Sequence, residues 1–240
     1  MSTEQSAESH VFEPRHGASY YSNRQSLGSQ FRLSRFRTLL FPLIAKIAGT
    51  REQVRILDLG GAQEYWWPLW ESELSDRCHV TICNLNETRA GFDGKHAGKI
   101  SFIKGDARRL DLPDNAFDLV HSNSMIEHVG RWGDVVAAAG EIRRVAPYYF
   151  VQTPSFGFPI EPHFRLPFIH WLPEQIRARI ILLLKSRYLP DTATFSDAME
   201  FVQSYQLLDR RQMSALFPEA RIASERFAGF LVKSHVAIRE

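Results

Sequence analysis

The chain has 240 residues, of which 44% are hydrophobic and 12% aromatic, and its formal net charge is +2. Such a chain can bury a core of its own, which excludes disorder over its whole length. The near-balanced charge argues against a nucleic-acid partner, and no apolar run approaches the roughly 18 residues that a membrane span needs.

The first 28 residues are polar and lack the apolar core of a signal peptide, so they predict a flexible leader. Tyr20 and Tyr21 are adjacent in this leader and have no core to belong to. We expect the leader to fold over a bound ligand as a lid. Apolar residues at helical spacing then predict an amphipathic helix over residues 30–47, kinked at Pro42.

A regular alternation of strands and helices follows. Runs rich in β-branched and aromatic residues predict strands at residues 54–59, 79–84, 100–104, 117–122 and 148–153. This alternation is typical of a parallel α/β sheet. A helix is expected over residues 134–145, with Asp134 as its N-cap. Cys78 and Cys83 fall around the second strand, five positions apart and too distant for a disulfide, which predicts reduced thiols and a cytoplasmic protein.

The strand-helix alternation breaks between about residues 154 and 206, where prolines and aromatics surround an apolar helix near residues 174–185. Because the α/β pattern resumes afterwards, we interpret this segment as a substrate cap inserted into a domain that spans residues 29–240. The helix of the cap is expected to pack on the sheet or on a second subunit. In the second case the protein would be a homodimer.

The end of the chain contains one more helix and a hairpin. Asp209 and Gln212 have the spacing of a capping box, which predicts a helix that ends at Phe217. Two extended segments follow, at about residues 220–227 and 230–238, and they are close enough in sequence to pair as an antiparallel hairpin.

The first strand ends in Asp58-Leu59-Gly60-Gly61, at the edge where ligands bind in a doubly wound sheet. Glycine lets the backbone approach a ligand closely. The turn lacks the third glycine of a dinucleotide fingerprint, and Glu64 puts negative charge where a phosphate would lie. The turn therefore suits a zwitterionic or cationic ligand better than a diphosphate.

Four segments occur in order between residues 54 and 130: ILDLGG, HVTICNLN, FIKGDARRL and FDLVHSNSMIEHV. Together they resemble the motifs of class I S-adenosylmethionine-dependent methyltransferases of the small-molecule type. The resemblance implies a doubly wound, mostly parallel seven-stranded α/β sheet that ends in a reversed hairpin, the Rossmann-like methyltransferase fold. It also implies S-adenosyl-L-methionine as the cofactor, and a substrate pocket built by residues before strand one and after strand five.

The resemblance also implies which residues contact the cofactor. The matching positions are Asp58, Gly60 and Gly61 for its methionine and ribose portions, Asp106 and Ala107 for its adenine, and Ser122 and Asn123 for the methyl-transfer centre.

One position departs from the family pattern. Asn84 stands where the family normally carries an acidic residue that binds both ribose hydroxyls. Asparagine can accept from one hydroxyl but loses the charge-assisted hydrogen bond, which is roughly twice as strong as a neutral one. Weaker cofactor binding, or a non-catalytic protein on the same fold, is therefore the alternative interpretation.

The segment after strand five contains candidate catalytic residues. His163 suits the role of a general base near neutral pH, and Glu161 would orient it. The alternative is that both residues latch the loop through backbone groups. His128 is a second candidate base, or else a helix-end hydrogen-bond donor. The spacing of Glu161, His163 and His170 matches no metal motif, so no metal is expected.

The sequence as a whole predicts a methyltransferase that acts on oxygen or nitrogen of a small molecule. A sugar, a glycan and a secondary-metabolite intermediate all remain open as acceptors. Neither a nucleic-acid partner nor an integral membrane segment is expected.

Overall fold

A computed structural model describes residues 27–86, 97–184 and 193–240. Tyr20 and Tyr21, and with them the proposed lid, lie outside the described residues. The first described element, helix α1, spans Leu27–Arg35, so the last two residues of the predicted leader are helical.

The predicted N-terminal helix consists of three pieces. After α1 come a π-helical turn, Phe36–Leu40, and helix α2, Phe41–Ala48. Pro42 has no backbone N–H and lies in the first turn of α2, where none is needed. The amide of Phe41 bonds to the carbonyl of Phe36, one residue further back than in an α-helix. The irregularity expected at Pro42 therefore lies in the turn before it.

Seven strands form one sheet in the order β3-β2-β1-β4-β5-β7-β6. They are parallel except for β7, which runs antiparallel to both of its neighbours. The strands are β1 Val54–Leu59, β2 Cys78–Asn84, β3 Ile100–Lys104, β4 Leu119–Asn123, β5 Tyr148–Pro154, β6 Arg221–Phe227 and β7 Leu231–Arg239. The doubly wound α/β fold and its reversed C-terminal hairpin are confirmed.

The fourth strand begins two residues later than predicted, because the side chain of Asp118 takes the place of a backbone acceptor in the pairing with β1. The carboxylate of Asp118 accepts from the backbone N–H of Arg55 at 2.8 Å. Regular pairing between β1 and β4 starts only at Ile56 and Leu119.

The sheet has a hydrophobic core on each face. One contains the apolar residues of the π-helical turn and α2 packed on alternate residues of the strands, such as Ile56 and Val80. The other contains Leu57 and Val120 from the opposite face, packed against the helices α4, Trp132–Val145, and α7, Arg210–Leu216. A four-residue helix, α3 Trp67–Trp70, follows β1.

Two helix starts test the capping predictions. Asp209 and Gln212 accept from each other's backbone N–H at 2.8 Å, which confirms the capping box of α7. The prediction that Asp134 is an N-cap was wrong. It is the third residue of α4, and its carboxylate accepts from the backbone N–H of Arg131, the residue that precedes the helix, at 2.9 Å.

Among the described residues between β5 and α7 there are two α-helices, α5, Glu174–Leu183, and α6, Phe195–Gln203. They share a third hydrophobic cluster with residues such as Phe164 and Ile169. The described residues of this segment add no strand to the sheet. No helix in the part of the chain that the structure describes is both long and apolar enough to span a membrane.

Both cysteines are buried free thiols at the two ends of β2, which begins at Cys78 rather than at His79. Burial raises the pKa of each thiol to about 11. Both groups are therefore protonated and unreactive near neutral pH.

Candidate functional site

The turn after β1 requires a glycine at its first position. Gly60 has a φ of 72°, in the left-handed region, and its N–H donates to the carbonyl of Cys83 at 2.9 Å. A Cβ at this position would lie 2.3 Å from Cγ of Met125. Both the backbone conformation and the space around it therefore exclude a side chain.

Gly61 is required for a different reason, because the carboxylate of Asp58 lies directly against it. A Cβ on Gly61 would lie 1.7 Å from Oδ2 of Asp58. Asp58 is fully buried. Its Oδ2 accepts from Nε1 of Trp66 at 2.7 Å, and its Oδ1 contacts Nδ1 of His121 at 2.6 Å. Asp58 therefore supports the turn from inside the fold, and both of its oxygens are engaged by the chain itself.

His121 is a residue of this edge that the sequence interpretation missed. It pairs in register with Asp58 on the neighbouring strand, and its ring lies 4.5 Å from that of Tyr65 and 5.0 Å from that of Trp66. Trp66 is fully buried, so it belongs to the core and not to a pocket wall. The alternation along strand four could have shown which face of the sheet His121 lies on, but its contact with Asp58 depends on the strand order.

Asn84 ends β2 beside the same turn. Its side-chain Nδ2 donates to the backbone carbonyl of Gly61 at 3.2 Å, and its backbone carbonyl accepts from the N–H of Gly105 at 2.9 Å. A carboxylate could not donate to the carbonyl of Gly61. The amide that departs from the family pattern therefore joins the end of β2 to the glycine turn.

Asp106 follows β3 and forms an ion pair with Arg108. Its carboxylate accepts from Nη2 of Arg108 at 2.6 Å and from the backbone N–H of the same residue at 2.9 Å. The side-chain hydrogen bond from Arg108 is the main reason that the pKa of Asp106 is lowered. Asp106 stays ionised and about one-third exposed. Ala107 packs against the core on the α4 side of the sheet.

Ser122 and Asn123 end β4. Ser122 is fully buried, and its hydroxyl has no hydrogen-bond partner among the described residues. Oδ1 of Asn123 accepts from Nη2 of Arg35 at 2.6 Å, and Arg35 also pairs with Glu225 at 2.7 Å. Arg35 comes from α1 and is only 5% exposed. Nothing in the sequence pointed to this contact, since Arg35 precedes Asn123 by 88 positions.

The three candidate catalytic residues lie together. His128 belongs to the 3₁₀ turn Ile126–His128 after β4, and Glu161 and His163 lie in the segment after β5. Nδ1 of His163 is 2.5 Å from Oε1 of Glu161, and its Nε2 is 3.0 Å from Nε2 of His128. Glu161 is fully buried and also accepts from the backbone N–H of Phe164 at 2.5 Å. It therefore makes both the histidine contact and the backbone contact that were considered as alternatives.

Glu127 is a second residue that the sequence interpretation missed, although it stands next to His128. It is fully buried, and its Oε2 accepts from the hydroxyl of Thr153 at 3.0 Å. Burial raises the pKa of Glu127 to about 7. A ligand atom of Glu127 lies within 4.8 Å of ligand atoms of His128 and His163.

A cavity of roughly 550 Å³ lies between the start of α4 and the α5–α6 segment. Most of its lining residues are polar or charged, and three aromatic residues lie among them. The lining residues include Arg131, Glu174, Arg177, Gln206, Trp132 and Phe156. Tyr205 also lines the cavity, and its ring lies 4.2 Å from that of His163. The volume is in the range of small-molecule sites, and the cavity adjoins the histidine pair.

The chain is similar in sequence to methyltransferases. Residues 57–147 match the family described as a methyltransferase domain. The chain is 31% identical over 108 residues to sterol 24-C-methyltransferase ERG6B of Gibberella zeae, covering 42% of this chain and 27% of that enzyme. It is 28% identical over 166 residues to the sterol 24-C-methyltransferase of Eremothecium gossypii, covering 63% and 42%. The chain thus spans less than half the length of either relative.

A solved structure shares the fold. The CurJ carbon methyltransferase superimposes with a TM-score of 0.50 at 10% identity, covering 78% of this chain and 48% of that one. At this identity the likeness concerns the fold alone.

Proposed function

We propose that the chain transfers a methyl group from S-adenosyl-L-methionine to a polar small molecule, as a class I methyltransferase does. The match of residues 57–147 to a methyltransferase domain supports this proposal. The observation that carries the proposal is the turn at Gly60 and Gly61. It leaves no room for a side chain, yet it lacks the third glycine of a diphosphate site, and Glu64 follows it with a negative charge that disfavours an anion. Such a turn fits a ligand whose reacting end is cationic.

The cofactor supplies an electrophilic methyl group when it is bound. Residues at the carboxyl ends of four strands are available to hold the cofactor. We propose that the backbone at Gly60 and Gly61 contacts the methionine and ribose portions, over a turn that Asp58 supports. Asn84 would accept from a ribose hydroxyl and Asp106 from the adenine amino group, with Ala107 beside it. Ser122 and Asn123 would border the transfer centre. The unpartnered hydroxyl of Ser122 supports this assignment, because a buried polar group normally has a partner.

We propose that the acceptor reacts through oxygen or nitrogen and that Glu161, His163 and His128 take its proton. The hydrogen bond to Glu161 fixes which nitrogen of His163 carries a hydrogen, and the other nitrogen shares a proton with His128. A positioned base of this kind typically contributes about 10²–10⁴-fold. Most of the remaining acceleration of an in-line methyl transfer comes from positioning.

Residues 154–206 are proposed as the cap that encloses the acceptor. Their separate hydrophobic cluster and the adjoining cavity support this role. The two relatives are named as sterol carbon methyltransferases, which makes a carbon acceptor the second candidate. The polar cavity wall favours a sugar, a glycan or another polar metabolite over a sterol. Homodimerisation through α5 and a cytoplasmic location remain predictions.

Calorimetric titration tests the cofactor assignment. We expect the protein to bind S-adenosylmethionine and S-adenosylhomocysteine but not NAD. Asp106→Ala should weaken binding about tenfold or more, because it removes a charged hydrogen-bond acceptor. Asp111→Ala is the matched control, since Asp111 is exposed and lies outside the proposed site. Absence of binding to both sulfur nucleosides would favour the non-catalytic alternative.

Turnover measurements test the proton acceptor once a screen of polar small molecules has identified a substrate. We expect His163→Ala and His128→Ala each to lower kcat by about 10²–10⁴-fold while cofactor affinity is retained. His79→Ala is the control, because His79 bonds to Ser101 between β2 and β3. Unchanged turnover in both cluster variants would contradict general-base catalysis by either histidine.

A further inference from the structure

Glu127, His128 and His163 direct ligand atoms toward one small region beside the proposed acceptor cavity. We propose that these three side chains form a binding site for a divalent transition-metal ion of the Zn²⁺ type. Glu127 and His128 are adjacent in the turn after β4, whereas His163 comes from the segment after β5. The site therefore joins two segments that the fold brings together.

The two imidazoles already have nearly the spacing of ligands to one ion. Their Nε2 atoms are 3.0 Å apart. Nitrogen ligands bind Zn²⁺ at about 2.0–2.1 Å, so two of them around a tetrahedral ion lie about 3.3 Å apart. A movement of a few tenths of an ångström would admit the ion between the rings.

Glu161 would orient His163 for ion binding. In metal sites a carboxylate often accepts from the ring nitrogen that does not bind the ion. Nδ1 of His163 contacts Glu161 at 2.5 Å, which directs Nε2 toward the cluster. The second oxygen of Glu161 accepts from the N–H of Phe164, so the carboxylate cannot rotate freely. Carboxylate–histidine pairs of this kind hold the imidazole in the orientation and tautomer that a metal needs.

Glu127 provides an independent observation that points to a cation. Thr153 donates to Oε2, but within residues 27–86, 97–184 and 193–240 no group bonds to the buried Oε1. A buried carboxylate oxygen without a partner is costly. An ion between Glu127 and the histidines would satisfy it. Two imidazoles and one carboxylate favour Zn²⁺ or a similar ion over Mg²⁺, which prefers oxygen ligands.

Ion binding and proton transfer use the same nitrogen atoms. In the metal-free cluster one imidazole donates a proton to the other, and a bound ion would take the place of that shared proton. If the base assignment of the proposed function holds, an ion-loaded protein lacks its proton acceptor, and Zn²⁺ inhibits turnover. The binding site itself does not depend on that assignment.

The test uses the full chain, untagged and treated with a chelator, titrated with ZnCl₂ and separately with MgCl₂ by calorimetry. We expect one Zn²⁺ per chain and no Mg²⁺ bound. Glu127→Gln and His163→Ala should each weaken Zn²⁺ binding at least tenfold, whereas His79→Ala should leave it unchanged. Failure of the wild-type chain to bind Zn²⁺ one to one would overturn the proposal, as would undiminished binding in both cluster variants.

Two further measurements keep the test decisive if a variant folds poorly. X-ray absorption of the Zn²⁺-loaded wild-type chain should show two imidazole ligands, and ligation without imidazole would overturn the site. Binding of S-adenosylhomocysteine by the same samples separates the two claims. Zn²⁺ binding without nucleoside binding supports the metal site and contradicts the proposed function, whereas the reverse result contradicts the metal site alone.

Discussion

Gly61→Ala is expected to destabilise the protein by about 3 kcal/mol or more and to abolish measurable cofactor binding. The added Cβ would lie 1.7 Å from Oδ2 of Asp58. That oxygen cannot move aside easily, because it is buried and accepts from the indole of Trp66. The turn would have to shift away from Asp58, and the cofactor contacts proposed for its backbone would shift with it. Urea unfolding and calorimetric titration with S-adenosylhomocysteine measure the two effects.

Gly140→Ala is the matched control for this change. Gly140 is exposed within α4, and a Cβ there would meet nothing within 4 Å. Because alanine is the better helix former, the variant should gain about 0.5–1 kcal/mol and bind the cofactor as the wild type does. A Gly61→Ala protein as stable as the wild type would show that the carboxylate of Asp58 is not held as the structure describes.

Asp58→Ala is expected to lower the free energy of unfolding by about 3–5 kcal/mol and to weaken cofactor binding strongly. The change leaves Nε1 of Trp66 and Nδ1 of His121 without their buried acceptor, at a cost of about 1–3 kcal/mol each. It also removes the support beneath Gly61. Asp58→Asn keeps the shape of the side chain and one acceptor oxygen. Its free energy of unfolding should therefore lie between those of the wild type and the alanine variant.

Asp118→Ala is the control for Asp58, because Asp118 is also a buried aspartate. It stands just before β4, at the amino ends of the parallel strands, whereas Asp58 lies near their carboxyl ends. The partner of Asp118, Arg55, is about half exposed, so the loss of stability should be smaller. Cofactor affinity should be unchanged. If Asp58→Ala and Asp118→Ala weakened the cofactor equally, affinity would follow global stability and not the support of the turn.

The parts of the fold that the sequence predicted correctly depend on local signals. β-branched runs gave the strands, and the reciprocal spacing of Asp209 and Gln212 gave the start of α7. Gly60 and Gly61 could be recognised because a turn after a buried strand restricts the residue type by itself. The N-cap at Asp134 failed because a third-position aspartate and an N-cap aspartate look alike in sequence.

The parts that could not be predicted depend on side chains that meet only in the folded protein. That His121 would bond to Asp58, or Arg35 to Asn123, requires the strand order and the position of α1. Glu127 looked ordinary because its neighbours are distant in sequence: Thr153 belongs to β5 and His163 to the segment after it. The sequence identified the candidate histidines as separate bases, whereas their 3.0 Å contact makes them one unit.

The ion pair of Arg35 with Glu225 has a consequence for the synthesis of the protein. The two residues are 190 positions apart, and the guanidinium is almost completely buried. A buried charge is costly until its partner is present. A ribosome releases the N-terminal end of a chain first. Helix α1 is therefore synthesised long before the carboxylate that its guanidinium requires, and we expect it to take its final position only together with β6.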